Sequence, residues 1–321
     1  MEALEEQTLR SGAQRSASSR GRKVPEEPHP YRTAFQRDRD RILHSKSFRR
    51  LAHKTQVFMA PEGDHYRVRL THTLEVTQVA RIIARALRLN EDLVEAICLG
   101  HDLGHTPFGH LGEKVINEFF GKPFKHNEQS LRIVEHLESR GERSGLNLTW
   151  EVRDGILNHT WSMPEPDTLE AQVARFADRI AYISHDIDDS IRAGVLDPKD
   201  LPGETQTVLG ASPSRRIDTM VGSLISASEG SKKIEMQKEV FDAMAITRSF
   251  MFERVYERPE MKPEHDRATS LVRALLGHYS GHPDEVPGAD EGDATTAVVD
   301  YVAGMTDRFA LREYQRLIGA D

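Results

Sequence analysis

RVRLTHTLEVTQVARIIARAL, residues 67–87, is the stretch that decides the fold class. Leu70, Leu74, Val76, Val79, Ile82 and Ile83 recur at three- and four-residue steps. That spacing lays apolar side chains along one face of a helix. The same period extends in both directions. Downstream, Asn90 is a candidate N-cap for a helix from 91 to about 103, with Glu91 and Asp92 in its first turn and Gly104 and Pro107 beyond its end. Further helices are predicted over 109–120, 126–139, 148–159 and 167–194, then over 214–230, 232–257, 261–279 and about 294–318. Upstream, 35–58 is helical in pattern and rich in arginine. No run alternates apolar and polar residues convincingly enough for a sheet, and no internal repeat is present. The predicted class is all-α.

A chain of 321 residues suits one large domain or two modest ones. Residues 1–28 are polar and aperiodic and read as a mobile tail. Residues 29–195 read as the core, and 196–321 as a C-terminal helical region packing on it. The boundary falls in the Pro/Gly/Ser-rich segment LDPKDLPGETQTVLGASPS (196–214), and GHPDEVPGADEGD (281–293) reads as an acidic surface loop. The net charge of -8 argues against a protein that tracks a nucleic-acid backbone. Binding of single strands as a secondary activity would need a basic groove. Cys98 is the only cysteine, so neither an intrachain disulfide nor a cysteine-rich zinc site is available. With no apolar leader and no stretch long enough to span a bilayer, the expected address is the cytoplasm.

The chemistry-bearing run is HDLGHTPFGHLGE (101–113). His101 and Asp102 open it, His72 lies upstream at the end of RVRLTH, and Asp178 lies downstream in ARFADRIAY. Two imidazoles and two carboxylates suit a divalent cation that must also engage phosphate. Adjacent helical residues point about 100° apart, so His101 and Asp102 can share a ligand only where their helix ends. A lone His-Asp pair is more often a capping or surface pair. Three histidines, two glycines and a proline in HDLGHTPFGH are poor material for a structural helix.

Other residues join this set by spacing. His110 and Glu113, three apart, share a helix face; a glutamate accepting from an imidazole fixes its tautomer, and the pair can position a water or move a proton. Arg69 and His72 have the same spacing, and a guanidinium binds phosphate bidentately. Arg179 and Tyr182 follow Asp178 with the same logic, and Asp186 one turn on could accept from a sugar hydroxyl. The arginines of RDRDRILHSKSFRR read as a solvated face or as interhelix ion pairs, with Arg49 and Arg50 as the candidate exceptions. The rest of HDIDD (185–189) reads as helix surface, and Trp150 and Trp161 as core.

Flanked by RLTH and ADRIAY, the run HDLGHTPFGHLGE resembles the HD-domain deoxynucleoside triphosphate triphosphohydrolases, over roughly residues 31–190. The resemblance implies an all-helical HD fold. It implies His72, His101, Asp102 and Asp178 as ligands of one divalent ion, manganese, iron or magnesium. It implies catalytic roles for His110 and Glu113, and His126, opening the segment HNEQSLRIV, as a second proton donor near the phosphates. Arg179 and Tyr182 would contact the phosphate tail and Gln56 the sugar. His159 matches another histidine of the family, with a structural role equally open. The register of HNEQ leaves Glu128 without a role. The implied activity is metal-dependent hydrolysis of a deoxynucleoside triphosphate, dGTP or a broader set, to a deoxynucleoside and inorganic triphosphate. The resemblance also implies a homo-oligomer, a hexamer by analogy, with deoxynucleoside triphosphates as activators as well as substrates. The alternatives are an HD phosphohydrolase acting on a nucleoside monophosphate or signalling nucleotide, and a non-enzymatic nucleotide sensor.

Overall fold

The computed structural model describes residues 1–56, 67–141, 143–256, 258, 262–289, 292–317 and 319. Its α-helices are α1 Glu2–Thr8, α2 Ala34–Leu43, α3 Lys46–Arg50, α4 Arg69–Ala86, α5 Glu91–Gly100, α6 His110–Phe120 and α7 His126–Arg132, then α8 Trp150–Asn158, α9 Leu169–Arg192, α10 Pro213–Ser228, α11 Lys238–Met251, α12 Lys262–Gly281, α13 Ala294–Ala303 and α14 Asp307–Leu317. The fold is all-α. The only strands among the described residues are a two-residue pair, Ser139–Arg140 with Arg143–Ser144. Among the described residues no helix is long and apolar enough to cross a membrane.

Most predicted helices stand, with shifted ends. The one expected over 35–58 breaks into α2, α3 and a short 3-10 turn at Leu51–His53; its last residues, 57 and 58, lie outside the described residues. The stretch expected over 126–139 turns from α7 into a π-helical turn, Ile133–Leu137. The one expected over 294–318 is interrupted at 304–306, dividing it into α13 and α14. The helix expected from 232 begins only at Lys238, and the predicted ends at 257, 261 and 318 lie outside the described residues.

The chain forms two units, each gathered from three separate stretches. This departs from the predicted division into 29–195 and 196–321, because residues 196–259 fold with the first unit and 260–321 with the second.

Unit 1 comprises residues 1–43, 72–101 and 146–259. Its centre is α5, where Leu93, Val94, Ala96, Ile97, Cys98, Leu99 and Gly100 are all buried. A helix apolar nearly all round must be covered on several sides, and α2, α8 and α9 cover it. Asn90 caps it as expected, its side chain accepting from the Leu93 N–H at 3.3 Å. Thr168 caps α9 in the same way. The arginine run of α2 forms ion pairs: Arg39 reaches Asp92, and Arg22 from the N-terminal segment meets buried Asp38.

Residues 1–28, predicted as a mobile tail, are instead tied into unit 1 by hydrogen bonds. The Gln14 N–H donates to Glu170 at 3.0 Å, Arg20 N–H donates to Glu151 at 2.7 Å, and the Trp150 N–H donates to the Gly21 carbonyl at 2.9 Å. Aperiodic polar sequence gives no packing signal, and the groups that hold it are buried carboxylates far along the chain.

Unit 2 comprises residues 44–71, 102–145 and 260–321. Val115 and Ile116 of α6 pack with Leu271, Val272, Leu275 and Leu276 of α12, and Val298 and Val302 of α13 extend the same cluster. The C-terminal helices therefore complete the core on which α6 stands.

Candidate active site

In unit 1, α4, α5 and α9 bring three predicted ligands together. His72 Nε2 lies 3.2 Å from Asp178 Oδ1, and His101 Nε2 lies 3.7 Å from the same oxygen. Two donors each about 2.1 Å from one cation lie roughly 3.0–3.4 Å apart; the His72 distance falls in that range and the His101 distance a few tenths of an ångström beyond it, so a small inward shift of His101 would let all three share an ion. The His101 tautomer suits it too. Its Nδ1 lies 2.6 Å from the Cys98 carbonyl, which can only accept, so Nδ1 carries the proton and Nε2 the lone pair. His159 repeats the device with its Nδ1 2.8 Å from the Ile156 carbonyl, its ring 5.0 Å from that of His101. Burial pushes the Asp178 carboxyl up, but the His72 hydrogen bond and the charges of His101, His72 and His159 outweigh it and hold it at about 2. Asp178 is thus a carboxylate at neutral pH.

The chain passes from unit 1 to unit 2 at the peptide bond between His101 and Asp102. In unit 2, Asp102 Oδ2 accepts from Arg69 Nη1 at 2.9 Å, and its Oδ1 lies 3.1 Å from His105 Nε2. Arg69, predicted to face phosphate, is therefore buried against the carboxylate, and its Nε has no hydrogen-bond partner among the described residues.

His105, His110, Glu113 and His126 form a second cluster, within unit 2. Glu113 Oε2 lies 3.2 Å from His110 Nδ1 and 3.3 Å from His126 Nδ1. Burial pushes the Glu113 carboxyl up, but the hydrogen bonds from His110 and His126 prevail and hold it well below the usual carboxylate range. Four such groups could suggest a metal, but the ring geometry opposes an ion shared by all four. His105 and His126 stack with centroids 4.0 Å apart and an interplanar angle of 12°. An imidazole binds a metal in its own plane, and two rings stacked 4.0 Å apart at 12° have planes that do not meet within coordination distance, so His105 and His126 cannot share an ion. The cluster suits proton handling instead. His110 is largely exposed, with 77% of its side chain accessible, whereas His105 and His126 are covered.

The glycines of this run serve close approaches. A Cβ on Gly104 would come within 2.2 Å of the Ser130 nitrogen and 2.3 Å of the His126 carbonyl oxygen. Gly104 donates to Ser130 Oγ at 2.8 Å, seating the His105 segment against the start of α7. Gly109 has φ 60°, and a Cβ there would lie 2.7 Å from Arg69 Nη2.

The predicted substrate residues divide between the units. Arg179, Tyr182 and Asp186 lie on α9 in unit 1. The Arg179 guanidinium stacks on Trp161 at 4.0 Å, the Tyr182 hydroxyl accepts from Arg248 Nε at 2.9 Å, and Tyr256 donates to Asp186. Trp161 and Trp150, predicted as core, are half-buried, and each carries a stacked arginine. His185, predicted on the helix surface, is buried, with Nδ1 3.2 Å from Glu75. Gln56 lies in unit 2, its Oε1 buried and without a hydrogen-bond partner among the described residues.

Relatives place the chain. A deoxyguanosinetriphosphate triphosphohydrolase-like protein of Caldanaerobacter subterraneus subsp. tengcongensis is 54% identical, over 98% of this chain and 94% of its own length. One from Desulfatibacillum aliphaticivorans is 49% identical, over 94% and 92%. The chain belongs to the deoxyguanosinetriphosphate triphosphohydrolase-like family. The chain matches the HD domain over residues 69–183 and the phosphohydrolase-associated domain over 234–316. It is an HD-domain phosphohydrolase. A solved phosphohydrolase from Bacteroides thetaiotaomicron shares the fold, with a TM-score of 0.55 at 16% identity over 86% of this chain and 68% of that one.

Sequence reading missed Arg248 and Tyr256, which carry no motif, and Lys54. Lys54 is fully buried and donates to the His105 and Ala303 carbonyls. Burial pulls its amine down from 10.5 to about 7, aided by the Arg69 and Arg50 charges and opposed by Asp307 and Asp102. Between these values the unfolded chain binds a proton that the folded protein does not, so stability rises with pH across this window. The burial cost is complete below about 7. Relative to Lys54→Met, the parent should gain roughly 2 kcal/mol between pH ~7 and ~9 in urea unfolding. Equal pH slopes for the two proteins would refute a neutral Lys54.

Proposed function

We propose that this chain hydrolyses deoxynucleoside triphosphates to a deoxynucleoside and inorganic triphosphate with a divalent metal ion. The observation that carries this reading is the separation of two kinds of histidine. His72 and His101 converge on one ionised aspartate, while His110 and His126 converge on one ionised glutamate. His72, His101 and Asp178, with Asp102 following His101, would hold the ion; manganese, iron and magnesium each suit such donors. A bound cation there supplies Lewis-acid polarisation of a phosphoryl oxygen.

The chain's own groups would do the rest. Glu113 fixes the orientation of His110 and His126 through their Nδ1 atoms, leaving each Nε2 to exchange a proton with water or with the leaving 5′ oxygen. Arg179, held over Trp161, and Tyr182, held by Arg248, would bind the phosphate tail. Asp186 and Gln56 would meet the sugar. The relatives' name points to dGTP, and we infer a homo-oligomeric assembly by analogy alone.

The test is a panel of each dNTP and GTP with manganese, with products resolved by ion exchange. Release of inorganic triphosphate supports the reading. Orthophosphate or pyrophosphate would move the cleavage to another bond, and binding without turnover would make the chain a sensor.

A further inference from the structure

Phe108 sits in the middle of the site run with φ 60°. The left-handed region is a conformational outlier for a bulky side chain, and it persists only where neighbours over-determine it. Gly109 follows with φ 60°, and α6 begins at His110. The backbone at Phe108 therefore sets where His110 and Glu113 start their helix.

One side chain from the C-terminal stretch holds that backbone. Asp307 opens α14. Its Oδ1 accepts the Phe108 N–H at 3.0 Å, and its Oδ2 accepts the Thr55 N–H at 2.8 Å and the Thr55 hydroxyl. Beside it, Lys54 links the Ala303 and His105 carbonyls, and the Arg69 N–H donates to the Lys54 carbonyl at 3.0 Å. The segment from Ala303 to Asp307 thus meets the run at two backbone points, at His105 through the Lys54 amine and at Phe108 through the Asp307 carboxylate. All these groups belong to unit 2. Thr106 closes the turn locally, its hydroxyl donating to the Gly109 carbonyl at 2.6 Å, but nothing local engages the Phe108 N–H in this way.

We propose that Asp307 is a positioning residue for the hydrolytic reaction, holding Phe108 in its left-handed conformation so that His110 and Glu113 face the substrate. The phosphohydrolase-associated segment then contributes to turnover without touching substrate. This inference rests on the reading of His110 and Glu113 as the proton-handling pair.

The test measures dGTP turnover with manganese in Asp307→Ala, Asp307→Asn, Phe108→Gly, Asp307→Ala/Phe108→Gly and Glu113→Gln. Asp307→Ala should lower kcat about 100-fold with KM within about two-fold, since no phosphate or metal contact is lost. Asparagine offers one accepting oxygen in place of two and should give an intermediate kcat. Glycine adopts positive φ without steric cost, though with more entropy to lose, so Phe108→Gly in the Asp307→Ala background should restore part of the loss, about ten-fold. The amide of Phe108 should exchange hydrogen faster in Asp307→Ala. If Asp307→Ala does not fold, Asp307→Asn carries the same comparison. An unchanged kcat in either Asp307 variant overturns the proposal, as does a loss that Phe108→Gly leaves unrelieved. Should Glu113→Gln keep full activity, the underlying assignment of the proton-handling pair fails instead.

Discussion

Asp178→Ala should remove bound metal and turnover together while leaving the fold intact. Within unit 1 both His72 and His101 approach this carboxylate, at 3.2 and 3.7 Å. Without it, only the two imidazoles remain in unit 1, and the negative charge that attracts a divalent ion is lost. Loss of the ion's electrostatic contribution should lower kcat by at least about 10³-fold, equivalent to about 4 kcal/mol. The fold should survive because the side chain is partly accessible, at 23%, and makes no ion pair with a buried arginine or lysine among the bonds described above. Asp102→Ala is a poorer probe. It strips the carboxylate from the buried Arg69, and an uncompensated buried charge costs roughly 3–5 kcal/mol. Metal content after gel filtration, kcat and the unfolding midpoint should be measured on one preparation. A full complement of metal in Asp178→Ala, or turnover within ten-fold of the parent, would refute the ligand assignment.

Glu113→Gln should leave metal content unchanged and lower kcat by about 10² to 10⁴-fold, the usual share of a positioned proton-transfer group. Glutamine keeps the shape but loses the charge. Its single carbonyl oxygen cannot serve both imidazoles, and its amide N–H groups would confront donors at Nδ1. His110 and His126 would then turn or change tautomer, and the pH dependence of kcat should flatten on the side they govern. His110→Ala tests the exposed member alone. Retention of full activity there would transfer the proton role to His126.

Much of this arrangement was legible in the residues themselves. The apolar steps of 67–87 gave α4 to within two residues at either end, and Asn90 gave the start of α5. The pairing of His110 with Glu113 followed from helical spacing and is seen at 3.2 Å. Less visible were groups defined by what lies opposite them in space. Arg69 has a phosphate-binding spacing, but here its guanidinium meets Asp102. The polar residues 1–28 have no period of their own and are held by Glu170, Glu151 and Asp38. Trp161 looked like core because large aromatics usually are; its stacked arginine depends on α9 passing beside it. Lys54 and Asp307 carry no motif, since their partners are backbone groups of a distant loop.

Alternation between the two units constrains how such a gene can change. Six stretches take turns building them, so no single cut in the reading frame yields either one whole. A nonsense mutation before codon 260 would leave α6 without the α12 leucines it rests on, and recombination between distant relatives would graft mismatched halves of both units. Inheritance should favour the complete chain passing as one piece, with variation entering through small insertions in surface turns.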